Sequence, residues 1–268
     1  MKIFVCVKQV PDTRGKAYIK KDGSLDRSKM STIINPDDLG AVEVALRLKE
    51  RFENVKIIAV TMGPPMAAVM MHELYAMGVD ETVIVSGREF GGSDTYGTSQ
   101  VLASAIDSIG LDQEDIILCG RQAIDGDTAQ VGPEIAEKLG IAQLTYVTEI
   151  EQDGQDLICR RNLEDGYMTV RLHRPCLISC MKEIAQPRYM SIKGILDWDS
   201  SKLRIIGYNE LKQARLFDDD VIGTVKSPTI VLTSFALQKK TGGMQLEGKP
   251  AEMVEKLFAC LEDKHVLD

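Results

Sequence analysis

The sequence lacks the usual marks of a metal centre, a disulfide framework and a membrane span. Its six cysteines (Cys6, Cys119, Cys159, Cys176, Cys180 and Cys260) include no C-x-x-C pair, and its histidines are only His72, His173 and His265. The expectation is no metal site, and reduced, mostly buried thiols in a cytoplasmic protein. No apolar run approaches the roughly 20 residues that a spanning helix needs. The opening stretch MKIFVCVKQVPD has too brief an apolar run for a signal peptide and no small-residue cleavage site, so it reads as a buried first strand. Long basic blocks are missing, and a formal net charge of −8 argues against a nucleic-acid groove. Neither G-x-G-x-x-G nor G-x-x-x-x-G-K-[ST] occurs, which removes the common dinucleotide and P-loop fingerprints. Ser93, Ser99 and Ser104 have no nucleophile-elbow context, and His72 falls mid-helix. No catalytic residue is expected.

What remains is an ordinary globular composition, 44% hydrophobic and 27% charged, over 268 residues. That length suits one large α/β domain or a domain with an appendage. The first 140 residues alternate short apolar runs with amphipathic stretches. KIFVCVKQV, VKIIAVTM, ETVIVSG and DIILCG read as strands. PDDLGAVEVALRLKERF, MAAVMMHELYAMG, DTYGTSQVLASAIDSIG and AQVGPEIAEKLG read as helices, the first with Asn35 as its expected cap. The repeated order predicts an α/β fold: a doubly wound, mainly parallel, Rossmann-like sheet covered on both faces.

Three segments depart from this alternation. Residues 14–33, with Asp22-Gly23, suggest a hairpin or an ordered excursion. From about residue 143 the period changes to two, and Asp153-Gly154 and Asp165-Gly166 mark turns of an antiparallel extension of the sheet. After Pro187 no long periodic element recurs until AEMVEKLFACLEDKH, an amphipathic helix. Some 60 residues with little core of their own are unusual inside a compact domain and suit an arm packed on another subunit. The expected division is a nucleotide-binding α/β domain over residues 1–186 and an arm with its helix over 187–268.

Polar residues collect where strands end: Lys8 to Asp12, Met62 to Pro65, Gly91 to Thr95 and Gly120 to Gly132. In parallel sheets ligands bind at those carboxyl ends, near the point where strand order reverses. CGRQAIDGDTAQVGP has the attributes of a loop that holds phosphate against a helix N-terminus. Gly126 permits close approach, Thr128 and Gln130 can donate hydrogen bonds, and the amides opening the next helix favour an anion. Asp125 and Asp127 suit ribose hydroxyls, capping, or orientation of Arg121. A capped surface turn accounts for this segment alone equally well. FGGSDTYGTS repeats the arrangement at a neighbouring strand end, with Asp94 and Thr95 opening the helix. Two such loops facing one crevice, without an acid, base or nucleophile, point to a protein whose cofactor carries the chemistry.

VCVKQVPDT, INPDDLGAVEVALRLKE, VTMGPP, YAMGVDETVIVSG, CGRQAIDGDTAQVGPEIAEKLG and KEIAQPRYMSIKGI together resemble the beta (small) subunit of electron-transferring flavoproteins, in order and over nearly the whole chain. RRNLEDGYMTVRLHRPCLIS is similar to the family's diagnostic stretch, except that Met168 and Ser179 depart from its usual residues. The resemblance implies an adenine-nucleotide site at Cys6 on the first strand and at Asn35, Pro36, Asp37 and Asp38. It extends the site to Met62 and Gly63, and around the phosphates to Gly120, Arg121, Gln122, Ala123, Asp125, Gly126, Asp127, Thr128, Ala129, Gln130 and Val131. It also implies a C-terminal arm around a larger, FAD-carrying alpha subunit.

Ordinary members hold AMP as a structural ligand. Bifurcating members hold a second FAD there, which accepts hydride from NADH. One electron goes to ferredoxin or flavodoxin, and one through the alpha-subunit flavin to a dehydrogenase of acyl-CoA or 2-hydroxy-acid type. GGSDT and Gly126-Asp127-Thr128 resemble the bifurcating version, with Gly63-Pro64 and Phe90 to Gly92 as candidates for lining the NADH approach. PRYMSIKGI resembles the loop that anchors the dehydrogenase, which assigns Ile192 to partner binding. The alternatives are an AMP-binding subunit without a redox centre of its own, or a nucleotide-hydrolysing or sensor protein of related fold. The missing nucleophile and phosphate-binding lysine weigh against the last.

Overall fold

The computed structural model describes residues 1–12, 31–230 and 242–267. β1 (Lys2–Cys6), β4 (Lys56–Met62), β5 (Glu81–Ser86) and β6 (Ile116–Gly120) are joined through α1 (Pro36–Arg51), α2 (Ala68–Met77) and α3 (Thr95–Ile109). β6 then leads through α4 (Val131–Leu139) to β7 (Ala142–Asp153). Short apolar runs become strands because both faces of a parallel sheet are covered. β1 shows the consequence: Ile3 and Val5 face the layer of α1 and α2, while Phe4 and Cys6 face that of α3 and α4.

Four further strands complete the sheet: β8 (Asp156–Leu163), β9 (Gly166–Leu172), β10 (Cys176–Cys180) and β11 (Leu203–Gly207). One nine-stranded sheet results, in the order β11-β5-β4-β1-β6-β10-β7-β8-β9. Pairing is parallel from β11 to β7 and antiparallel from β7 to β9. The expected doubly wound sheet and its antiparallel extension are both present. After β1 the chain builds outward through β4 and β5, then returns to β6 on the other side of β1. The connections therefore diverge at the carboxyl ends of β1 and β6, which opens a crevice between them.

Two short strands, β2 (Gln9–Pro11) and β3 (Thr32–Ile34), pair antiparallel at the base of the segment 14–33. The Asp22-Gly23 turn itself lies outside the described residues. β11 was hidden in the sequence because only Ile206 of its five residues is buried. It adds a parallel edge strand beside β5, from Leu203 opposite Thr82 to Gly207 opposite Ser86. Three short helices flank it along the chain: α5 (Ile192–Leu196), α6 (Tyr208–Leu211) and α7 (Gly223–Lys226). The last helix, α8 (Pro250–Asp263), forms as the amphipathic pattern predicts but has no buried residue. Val254, Leu257 and Phe258, at helical spacing, are each about half exposed. Cys6, Cys119, Cys159, Cys176 and Cys180 are buried and unpaired, and Cys260 is half-buried. Burial pushes the Cys6 thiol up to about 12, which leaves it unreactive. Among the described residues no helix is long and apolar enough to cross a membrane.

Candidate functional site

The crevice is held open by the first turn of α1. Asp38 is buried, and its two oxygens bind the two diverging strands: Oδ2 accepts from the Lys8 amide at 2.8 Å, and Oδ1 from the Gly120 amide at 2.9 Å. Burial pushes the Asp38 carboxyl up to about 7, against those two backbone donors, which pull it down. Gly120 is glycine because of this clamp. A Cβ there would lie 2.5 Å from Asp38 Oδ1 and 2.6 Å from the Asp37 carbonyl carbon.

Asn35 stands at the N-cap of α1, but its side chain does not cap that helix. Its Nδ2 donates to the Gln122 carbonyl at 2.9 Å, and its Oδ1 accepts from the Ile124 amide at 3.2 Å. The expected cap is thus a bridge to the loop after β6. Pro36 at the first helical position loses no hydrogen bond by lacking an amide proton. Two ion pairs support the same loop: Arg121 with Asp37 at 3.4 Å, and Lys8 with Asp125 at 2.8 Å. Burial raises the Asp37 carboxyl, and the Arg121 guanidinium offsets part of the shift.

Within the loop Asp127 accepts from Gln122 Nε2 at 2.8 Å. Asp127 and Ala129 both have left-handed backbones, at φ 50° and 54°. For residues with a Cβ this costs on the order of 1–2 kcal/mol each, a cost that collects at functional loops. Gly126 presents the opposite case. Its φ is not left-handed, and a Cβ on it would meet no protein atom within 4 Å. The chain's own packing therefore gives no reason for glycine at this position, and the residue lines the crevice.

The facing wall is the start of α3. Asp94 caps it, with Oδ1 accepting from the Gly97 amide at 2.9 Å. Thr95 reaches across to α4, where its hydroxyl donates to Glu134 at 3.2 Å and approaches Gln130 Oε1 at 3.4 Å. Gly132 lets α4 lie close on β6, since a Cβ there would stand 2.8 Å from Cys119 Sγ. The amino ends of α3 and α4 thus both border one cavity of about 370 Å³.

That cavity brings together Cys6, Asp38, Met62, Asp94, Thr95, Gly120 to Ala123 and Gly126 to Val131. Asn35, Pro36, Asp37, Gly63 and Asp125 do not line it. Asn35, Asp37 and Asp125 instead hold the residues that do. Lys8, Thr98, Leu102, Cys119 and Ile135 also line it, though they were outside the expected set. Thr98 and Leu102 follow Thr95 at helical spacing, and Ile135 follows Val131 likewise, so helix periodicity was the available signal. Phe90, a candidate for an approach path, is buried against Tyr208 and Phe217. Ile192 lies far along the chain from the crevice residues, at the start of α5, where it is 78% exposed.

The model of the electron transfer flavoprotein domain matches residues 22–201. The chain belongs to the electron transfer flavoprotein family. Over its full length, and over the full length of each relative, this electron transfer flavoprotein is similar to several subunits of electron-transfer complexes. It is 50% identical to the acryloyl-CoA reductase electron transfer subunit gamma of Anaerotignum propionicum. It is 40% identical to the caffeyl-CoA reductase-Etf complex subunit CarD of Acetobacterium woodii. With the electron transfer flavoprotein subunit beta of Thermoanaerobacterium thermosaccharolyticum the identity is 41%. Its role is that of an electron transfer flavoprotein beta subunit in electron transfer.

Proposed function

We propose that this beta subunit binds FAD in the crevice between β1 and β6 and works in the cytoplasm as part of a bifurcating heterodimer with an alpha subunit. NADH is the electron donor. Ferredoxin or flavodoxin receives one electron, and a dehydrogenase of acyl-CoA or 2-hydroxy-acid type receives the other through the alpha-subunit flavin. The observation that carries this reading is Gly126, glycine without a steric or conformational demand from its own chain, on the wall of a crevice bordered by two helix amino ends. An occupant that comes against the backbone supplies the missing demand, and a diphosphate between two sets of free amides has the matching charge. The names of the acryloyl-CoA and caffeyl-CoA reductase relatives favour the same class of partner.

The residues fit such a group. Thr128 and Gln130 stand at the rim with hydrogen-bond donors, and Arg121 supplies a cation beside the loop. Asp127, oriented by Gln122, is an acceptor for ribose hydroxyls. Bound there, FAD supplies hydride acceptance and one-electron transfer. The chain supplies phosphate binding, orientation, and apolar walls from Met62, Leu102 and Ile135 that exclude water. The division into a nucleotide-binding domain over 1–186 and an arm over 187–268 belongs to this reading. The apolar face of α8, with no buried residue in this chain, is covered by the alpha subunit. Ile192, exposed beside Leu196, is the anchor for the dehydrogenase.

One observation favours AMP instead: about 370 Å³ is small for an entire dinucleotide within this chain alone. The FAD reading requires the alpha subunit to complete the crevice. Cofactor analysis of the purified heterodimer separates the two. Two flavins per heterodimer, with the absorption bleached by NADH, are expected; one flavin with one AMP would overturn the FAD reading.

A further inference from the structure

Gly92, in the Gly91 to Thr95 loop, is glycine for a reason that lies far away in the chain. Gly92 has a left-handed backbone at φ 77°, and a Cβ on it would overlap Thr224 Oγ1. Gly97, in the first turn of α3, sits under the Val221 carbonyl, which a Cβ would approach to 2.6 Å. Gly223 in turn lies against the Glu89 carbonyl, whose oxygen would stand 2.6 Å from any Cβ on that glycine. Two stretches separated by more than a hundred residues are therefore fitted backbone to backbone.

Hydrogen bonds fasten the fit. The Gly223 amide donates to Ser93 Oγ at 2.7 Å, and the Thr224 hydroxyl donates to the Gly91 carbonyl at 3.1 Å. Ser227 Oγ accepts from the Asp94 amide at 3.1 Å and donates to the Gly223 carbonyl at 2.8 Å. Finally the Thr229 amide donates to Asp94 Oδ2 at 2.8 Å, while the other oxygen of the same carboxylate caps α3. Both Asp94 oxygens are thereby engaged, one inside the helix and one across to the strap. Ser227 is buried, so its hydroxyl has no water to exchange with.

We propose that residues 223–229 are a strap that sets the α3 wall of the nucleotide crevice, with Thr224, Ser227 and Thr229 as positioning residues. The strap's hydrogen bonds reach two crevice-lining residues, Ser93 and Asp94. It holds the amino end of α3, and so the direction of its free amides, in the place where the nucleotide reading puts a phosphate. A stretch well inside the region 187–268 is thus part of the site's construction, and the crevice cannot be described by the first 140 residues alone. This inference rests on the reading that the crevice holds a nucleotide.

The test uses the intact heterodimer with wild-type, T224V, T224S and T224V/S227A chains. Two quantities are read: amide hydrogen exchange over residues 91–98, and release of crevice nucleotide when excess AMP is added. Exchange and release are both expected to accelerate about tenfold in T224V/S227A, as expected for a locally opened segment. T224V should show a smaller acceleration that T224S, which keeps the hydroxyl, does not show. The spectrum of the alpha-subunit flavin should be unchanged throughout. Faster amide exchange with wild-type nucleotide release would overturn the positioning role, as would no change in either quantity. A wild-type heterodimer that yields no crevice nucleotide would overturn the nucleotide reading itself, an outcome visible before any variant is compared.

Discussion

Replacing Gly126 by alanine separates what the chain needs for folding from what the crevice needs for its occupant. A Cβ at this position meets no protein atom within 4 Å, and the backbone is not left-handed. The added methyl therefore brings no clash and no conformational strain. Removing glycine's freedom from the unfolded chain should stabilise the fold by about 0.4–1 kcal/mol. For a chain of this size that corresponds to a rise in Tm of roughly 1–4 °C. Gly120→Ala is the contrasting variant, because its Cβ would stand 2.5 Å from Asp38 Oδ1 and 2.6 Å from the α1 backbone. Neither neighbour is the end of a flexible chain, so overpacking there should cost about 1–3 kcal/mol.

The two variants should part again in cofactor content. If a phosphate lies against the Gly126 backbone, a methyl group in its place forces it outward by more than a hydrogen bond tolerates. Losing one charge-assisted hydrogen bond of about 1.5–3 kcal/mol weakens binding roughly ten- to a hundredfold. Heterodimers carrying Gly126→Ala should therefore melt at or above the wild-type temperature, in the absence of added nucleotide, yet lose crevice nucleotide on gel filtration. Thermal unfolding and quantified release of nucleotide after acid precipitation measure the two effects. Wild-type nucleotide retention in Gly126→Ala would refute the reasoning, since the one crevice-lining glycine that the chain's own packing does not explain would then have no occupant to explain it.

Asn35→Ala removes the bridge to the Gln122 carbonyl and the Ile124 amide. The expected cost is about 1–3 kcal/mol for the unsatisfied loop groups, read by denaturation and by faster amide exchange over residues 121–127. Asp38 predicts a pH dependence. Its folded pKa, about 7, lies above the ordinary carboxylate value, so its contribution to stability is full below about pH 4 and is lost as pH rises towards 7. Denaturation from pH 5 to 8 should show stability falling with pH in the wild type and a flatter profile in D38N; equal slopes would count against it. Glu43 acts in the opposite sense. Burial alone would raise it, but hydrogen bonds from Arg188 and Arg47 hold its carboxyl low, so its contribution is lost only as acid protonates it. Ile192→Ala should raise the KM for the dehydrogenase about tenfold while leaving flavin content unchanged, as for an aliphatic anchor at an interface. The exposed segment that carries it is preorganised, with Arg188 bound to Glu43 at 2.9 Å and to Glu50 at 2.7 Å.

Much of this molecule follows from local pattern. Parallel strands buried on both faces announce themselves as short apolar runs, and β1, β4, β5 and β6 fall where those runs are. Helix spacing located α1, α3, α4 and α8, and the Asp-Gly dipeptides located both antiparallel turns. The polar strand ends that line the crevice were legible for the same reason, because strand-loop-helix order forces them to one edge. β11 was not, since an edge strand with a single buried side chain has no period to read.

The sequence by itself thus determined the class of fold, the edge of the sheet where the crevice opens, and most of the residues that line it. Only the tertiary structure decided what those residues do. Asn35 has the sequence context of a helix cap, and becomes a bridge because the loop after β6 passes within reach of its amide. Asp38 reads as one of two acids in a first turn, and becomes the clamp of two strands because both carry an unpaired amide where they diverge. Gly92 reads as part of a phosphate loop, and is glycine because Thr224 occupies the space where its side chain would go. Each of these contacts joins residues tens to more than a hundred positions apart. Propensity and periodicity are properties of neighbours in sequence, so they carry no signal of a partner that only the folded chain brings near.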